Sequence, residues 1–308
     1  MYQEEIMPLL PERIRRILQR YVKSEQKLQE IRIRRGYPLV LQYRGEMLVP
    51  EAGGSVVSET EFKEVLSRIS KYSLYAFEEE IRKGYITIPG GHRIGLLGHT
   101  VVENNEIKAV RNISFLNIRI SHEIRGSADR LMPYVMEGDR FLSTLIVSSP
   151  GGGKTTLLRD MIRQLATGGE RFRGRNVSVV DERSEIAGCY QGVPQKQVGL
   201  FCDVVDACPK AIGMMMVIRS MAPEVVAVDE VGTAEDLEAM KYALTSGCAL
   251  LATIHGESQK QMKQKPLFDR IMKAEMFDRY VYLGTQKSPG ICREIYDGRG
   301  NLLWNFNG

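Results

Sequence analysis

The stretch Leu145-Ile146-Val147-Ser148-Ser149-Pro150-Gly151-Gly152-Gly153-Lys154-Thr155-Thr156 decides the fold: an apolar run, a glycine-rich turn, and then Leu157-Leu158-Arg159-Asp160-Met161-Ile162 at helical spacing. Strand, turn and helix in that order suit a polyphosphate. Backbone N–H groups can close on phosphate oxygens where no Cβ intervenes, the helix start adds the positive end of its dipole, and a flexible ammonium reaches the terminal phosphates. Gly151 to Gly153, the helix start and Lys154 supply these in turn, in a nucleotide-binding stretch that runs from Ser149 and Pro150 through Gly151, Gly152, Gly153 and Lys154 to Thr155 and Thr156. Thr155 stands where the Walker A pattern G-x-x-x-x-G-K-[ST] puts a hydroxyl for Mg²⁺. Ser148 takes the place of the first Gly of that pattern. That position shapes the opening turn and not the phosphate cradle, so a small Ser fits if its φ stays negative.

Beyond this stretch, strand and helix alternate, which predicts a parallel sheet with crossover helices. Val177 to Val180 ends at Asp181-Glu182, Val225 to Val228 at Asp229-Glu230, and Ala249 to Ile254 at His255-Gly256. Ligands of open α/β sheets bind at the C-terminal strand ends, so the three polar clusters are expected to converge on the phosphates. Hydrolysis of a nucleoside triphosphate needs neutralised charge, a held metal and an oriented water. Asp229 can hold Mg²⁺ through water and Glu230 can polarise the attacking water, the Walker B arrangement; the other reading makes them N-cap residues of a helix from Thr233 to Thr245. Asp181 and Glu182 form a second acidic pair or a salt-bridged loop. His255 reads the γ-phosphate or is structural. Met214-Met215-Met216 and Trp304 are expected in the core. The tail, Tyr280 to Leu283 and Cys292 to Tyr296, reads as an antiparallel hairpin edge.

The N-terminal half has another pattern. Ile14, Ile17, Leu18, Tyr21 and Val22 make an apolar stripe opposite Arg13, Arg15, Arg16 and Arg20, an amphipathic helix with either a solvated basic face or a docking one. A small meander follows, from Glu30 to Arg34, Pro38 to Tyr43 and Met47 to Val49. Helices are expected over 59–70 and 74–83. Strands then resume over 85–88, 92–97, 107–110 and 116–120, an antiparallel sheet with helices on one face. The predicted organisation is a smaller α+β domain over 1–126, a linker over 127–140 and a P-loop domain over 141–308.

The chain has 308 residues, a formal net charge of +4 and five cysteines without a C-x-x-C pair. Mild basicity does not mark a dedicated nucleic-acid binder, and the cysteine pattern suits a reduced compartment. No apolar run approaches the roughly 18 residues of a membrane span, and the start of the chain is acidic where a signal peptide is basic. The expected setting is cytoplasmic, with any membrane association through partners.

Val179-Val180-Asp181-Glu182-Arg183-Ser184-Glu185-Ile186-Ala187-Gly188, then Cys208-Pro209-Lys210-Ala211-Ile212-Gly213-Met214 through Met221, then Pro223 through Gly232 resemble the stage III sporulation AA family. That family is similar to the traffic ATPases of type II and type IV secretion and pilus retraction. The resemblance implies an α/β N-terminal domain, a RecA-like motor domain and a homo-oligomer, a hexameric ring. It also implies four boxes around the nucleotide: Ser148 to Thr155; Asp181, Glu182 and Glu185; Pro223 to Glu230; and Thr253-Ile254-His255. Arg93 and Arg111 are similar in placement to arginines that reach the γ-phosphate. Ser148, and Phe201-Cys202 where a more polar pair is expected, depart from the pattern. The implied activity is Mg²⁺-dependent ATP hydrolysis energising membrane-embedded channel proteins during endospore formation. The alternatives are a RecA-like ATPase acting on nucleic acid, which the Arg32, Arg34, Arg35 cluster permits, and a nucleotide-binding scaffold without turnover.

Overall fold

The computed structural model describes residues 2–50, 55–70, 78–82, 84–284 and 290–305. The chain divides into two compact units, Met1–His122 and Glu123–Gly308.

The first unit runs α1 (Tyr2–Glu5), α2 (Glu12–Tyr21), β1 (Leu28–Arg34), β2 (Val40–Tyr43) and β3 (Glu46–Leu48). It continues through α3 (Glu59–Ile69), α4 (Glu78–Arg82), β4 (Tyr85–Ile88), β5 (His92–Glu103) and β6 (Glu106–Arg119). The strands form one antiparallel sheet in the order β3-β2-β1-β6-β5-β4. Ile14, Ile17 and Leu18 of α2 and Phe62, Val65 and Ile69 of α3 pack with Ile31, Ile33, Leu41, Ile94, Leu96, Leu116 and Ile118 of the sheet. Two arginines of the basic face of α2 are paired: Arg13 Nε donates to Glu61 Oε1 at 2.7 Å, and Arg16 pairs with Glu12. Glu61 also closes the capping box of α3 with Ser58, and the Arg13 guanidinium holds its carboxyl down at about 2. Arg32 pairs with Glu30, and the Arg34 guanidinium lies over the Tyr37 ring.

The stretches 107–110 and 116–120, expected as two strands, are one strand, β6, with Asn112 at φ 47°. Gly98 explains the continuity. A Cβ there would sit 2.5 Å from the Arg111 carbonyl oxygen and 2.8 Å from Ile113 Cα, so only glycine lets β5 and β6 stay paired through the irregularity between Leu97 and His99. Much of the helix expected over 74–83 lies outside the described residues.

The second unit begins with α5 (Met132–Val135), β7 (Met136–Glu137), β8 (Arg140–Phe141), β9 (Thr144–Ser148), α6 (Lys154–Thr167), β10 (Val177–Asp181) and β11 (Cys202–Asp206). Then come α7 (Lys210–Met221), β12 (Val225–Glu230), α8 (Ala234–Thr245), β13 (Ala249–His255), α9 (Gln259–Met262), α10 (Pro266–Lys273), β14 (Arg279–Leu283), β15 (Cys292–Asp297) and β16 (Leu302–Asn305). The main sheet has the order β11-β10-β12-β13-β9-β14-β15-β16. It is parallel from β11 to β14 and antiparallel beyond. Every residue of β9 and of β10 is buried, as a parallel sheet covered on both faces requires. Leu157, Leu158, Met161 and Ile162 of α6 lie in one core layer; Met214 and Val217 of α7 and Leu237 and Met240 of α8 lie in the other.

Three expectations change here. The stretch 127–140 is no linker: Ala128, Leu131, Met132 and Val135 are buried in the core around α6, and the Ala128 N–H donates to Asp160 Oδ2 at 2.9 Å. The tail is not all edge, because β14 pairs in parallel with β9, the strand that leads into the glycine-rich turn, and the edge strand on that side is β16. Of the three consecutive methionines only Met214 is core; Met216 is exposed.

Candidate functional site

Parallel pairing brings the strand ends to one side. His255 is in register with Ser148, Glu230 with Thr253, and Asp181 with Asp206. Between β9 and α6 the chain turns through Gly151 at φ 73° and Gly153 at φ 89°, the left-handed region that glycine enters freely. Ser148 keeps a negative φ. Its hydroxyl lies 2.0 Å from where a Cβ on Gly152 would be, so a side chain at the fifth position of the pattern has to displace the serine hydroxyl at the first and also crowd the Ser149 and Gly284 carbonyl oxygens at 3.1 and 3.2 Å.

Lys154, the first residue of α6, has its ammonium 3.2 Å from the Ser148 carbonyl oxygen and 2.7 Å from His255 Nδ1. An ammonium only donates, so His255 Nδ1 accepts and its Nε2–H faces Glu230 Oε2 at 2.6 Å. The P-loop lysine, the end of β13 and the end of β12 are thus joined in one hydrogen-bonded line. Lys265 secures it by donating to the His255 carbonyl at 2.7 Å. Burial pulls the Lys154 ammonium below its ordinary value, against the opposing charges of Glu230 and Glu185.

The acidic pairs divide their work. Asp181 is fully buried and accepts from the N–H groups of Glu185, Ile186 and Ala187 at 2.8, 3.0 and 2.8 Å, so it organises its own loop. Burial raises its carboxyl despite those bonds. Arg159 of α6 ties the same loop down, donating to the carbonyls of Ile186 and Glu185 at 2.5 and 2.6 Å. Glu182 instead faces Lys210, with which it pairs. Asp229 is nine-tenths buried, its Oδ1 receives no hydrogen bond, and Lys210 Nζ stands 3.6 Å away. Neither Asp229 nor Glu230 caps α8: Thr233 is its N-cap, with Asp236 completing the capping box.

A buried, unbonded carboxylate oxygen at a strand end of the sheet that carries the glycine-rich turn fits a hydrated Mg²⁺, which takes one or two protein oxygens and fills the rest with water and phosphate. Among the described residues no three His, Cys, Asp or Glu side chains gather into an all-protein metal cage. Arg93 and Arg111 lie on β5 and β6 of the first unit; Arg93 has its guanidinium over the Tyr85 ring, 4.8 Å from the centroid, and Arg111 is exposed opposite His99. Lys210 is the site residue that motif reading passed over. Its signal was a lysine in the first turn of a helix with no acidic residue there, against the helix dipole. The hydrogen bond to Glu182 and the charge of Asp229 hold its ammonium above the ordinary value although burial pulls the other way.

A glycine-rich strand-to-helix turn, acidic and histidine strand ends, a mixed, mainly parallel sheet in the second unit and an antiparallel sheet in the first make up a fold shared with traffic ATPases. The ATPase DotB of Legionella pneumophila superposes with a TM-score of 0.60, covering 94% of this chain and 81% of that one at 16% identity. The pilus retraction motor PilT with bound ADP superposes at 0.56, covering 88% and 76% at 12% identity. The sequence narrows the class: the family model "Sporulation stage III, protein AA" matches residues 1–303. Stage III sporulation protein AA of Bacillus subtilis (strain 168) is 43% identical over 305 residues, 99% of this chain and 98% of that protein. The chain belongs to the Sporulation stage III, protein AA family.

Proposed function

We propose that this chain binds ATP with Mg²⁺ at the turn between β9 and α6, hydrolyses it, and uses the cycle to energise a membrane-embedded channel or secretion-like complex during endospore formation. The observation that carries the reading is the line Lys154–His255–Glu230, which joins the cation for the phosphates to the carboxylate for the water. The turn from Ser149 to Gly153, with the N–H groups of Lys154, Thr155 and Thr156, receives the phosphate oxygens. Lys154 exchanges its bonds to Ser148 and His255 for the terminal phosphates, whose charge offsets the cost of its burial. Glu230 accepts from the attacking water and orients it. His255 fixes Glu230 through Nε2 and sits within reach of the oxygens that Lys154 meets. Glu182 lends a second carboxylate at the neighbouring strand end. Thr155 and Asp229 would hold Mg²⁺, which supplies charge neutralisation across the phosphates.

The oligomer is proposed as a hexameric ring of this chain, on the resemblance to traffic ATPases, with Arg93 and Arg111 stabilising transition-state charge. No helix among the described residues is long and apolar enough to cross a membrane. A cytoplasmic motor reaching the membrane through partners accords with this, and the name of the Bacillus subtilis relative supports the sporulation setting. The Glu30 and Tyr37 contacts of Arg32 and Arg34 argue against a nucleic-acid surface there.

Glu230→Gln separates binding from chemistry. It keeps the shape but not the carboxylate, so ATP affinity is expected to persist while turnover falls by on the order of a hundredfold or more. If both fall together, Glu230 does not position the water; if the wild-type protein shows no ATP turnover, the reading fails.

A further inference from the structure

Lys210 is built into the site from an unexpected direction. It is the first residue of α7, after the N-cap Pro209, and no acidic residue of that first turn offsets its charge. Its side chain is nevertheless only 11% exposed, paired with Glu182 and 3.6 Å from Asp229 Oδ1. The placement is rigid. A Cβ on Gly213 would lie 2.4 Å from Val180 Cγ1, so glycine there lets α7 press on β10, the strand that leads to Asp181 and Glu182. Asp229, nine-tenths buried, keeps Oδ1 without a hydrogen bond although this ammonium is close by. A lysine used only to neutralise Asp229 would close that distance. One bonded to Glu182 and held just short of Asp229 leaves the oxygen available to another cation.

We propose that Lys210 is a positioning residue of the nucleotide site: it fixes the Glu182 carboxylate beside Asp229 and places a permanent positive charge next to the divalent-cation position, so that it tempers cation affinity and supports the rate. The inference rests on the reading of this unit as a Mg²⁺-ATP site and adds a residue to it. Two consequences follow from electrostatics. A unit positive charge a few ångströms from a ligand oxygen opposes an incoming dication, so its removal strengthens cation binding. Its removal also frees Glu182 to move, which lowers the rate of a step that depends on fixed carboxylates.

The test uses the full chain and Mn²⁺ alone, an oxygen-seeking dication visible by electron paramagnetic resonance, without nucleotide. Lys210→Met is expected to bind Mn²⁺ about tenfold more tightly than wild type, and Lys210→Arg to stay within about threefold of it. With saturating Mg²⁺ and ATP, Lys210→Met is expected to lose about tenfold or more in kcat with KM for ATP within about threefold, and Lys210→Arg to recover part of the loss. Lys210→Gln replaces the methionine variant if that one does not fold. Unchanged Mn²⁺ affinity, or loss of ATP affinity in step with kcat, would overturn the proposal. A wild-type protein that binds no ATP would instead overturn the ATPase reading, and the Mn²⁺ comparison would still decide the effect of the Lys210 charge.

Discussion

At the scale of single residues, Asp229 carries a tension that bears directly on the site. Burial pushes its carboxyl up to about 6 from an ordinary 3.8; Lys210 pulls it down, and Asp181 and Glu182 push it further up. A carboxyl that is harder to ionise in the fold than in the unfolded chain opposes folding once ionised. The penalty is full above about pH 6 and is released as the pH falls from there through 3.8; it is worth on the order of 3 kcal/mol. Asp229→Asn is therefore expected to raise the melting temperature by several degrees at pH 8 and to change it little at pH 4, read from thermal melts of both proteins. Equal melting temperatures at pH 8 would mean that the buried carboxylate is neutralised by its surroundings.

At the scale of elements, the glycine-rich turn shows how far a pattern reaches. Its strand, turn and helix were legible because three apolar residues lead in and Leu157, Leu158, Met161 and Ile162 lead out at helical spacing. The strands β10, β12 and β13 were legible for the same reason, each an apolar run ending in polar residues. Edge strand β11 was not, since Cys202-Asp203-Val204-Val205-Asp206 has aspartates within the run and only partial burial to reward apolar choice. The place of β14 beside β9 was invisible because it depends on pairing between distant segments, not on local composition. Lys210 was invisible for a like reason: its carboxylates come from β12 and the loop after β10. Ser148 was visible as a departure, but its coupling to Gly152 needed coordinates. Gly152→Ala is expected to weaken ATP binding by about tenfold or more, by moving the turn off the phosphates. In Ser148→Gly/Gly152→Ala the hydroxyl clash is gone and only backbone contacts near 3.1 and 3.2 Å remain, so binding should recover in part. Titration calorimetry of the single and double variants measures this coupling; additive losses would show that the two residues act independently.

For the whole molecule, the two-part organisation followed from the change of pattern near the middle of the chain, although the boundary did not. Residues 127–140 looked loose because Gly126-Ser127-Ala128-Asp129 and Glu137-Gly138-Asp139 bracket an apolar run, Leu131 to Met136, too short to show a helical period, yet Ala128, Leu131, Met132 and Val135 are all buried. Assembly is where the proposed function reaches beyond one chain. If Arg93 or Arg111 acts on transition-state charge within a ring, turnover per chain rises with protein concentration, and Arg111→Ala loses hydrolysis with little loss of nucleotide affinity. Constant specific activity across dilution, with an unaffected Arg93→Ala/Arg111→Ala variant, would remove both arginines from the mechanism.

The central claim is that the turn from Ser148 to Thr156 is a working ATP site, and Lys154→Ala tests it most directly because it deletes the ammonium that meets Ser148 and His255 and that the proposal assigns to the phosphates. Steady-state hydrolysis of Mg²⁺-ATP by the purified wild-type and variant proteins, with circular dichroism to establish that both are folded, is the measurement. The expected result is turnover by the wild type and none detectable in the variant. Wild-type hydrolysis by a folded Lys154→Ala protein would contradict the account.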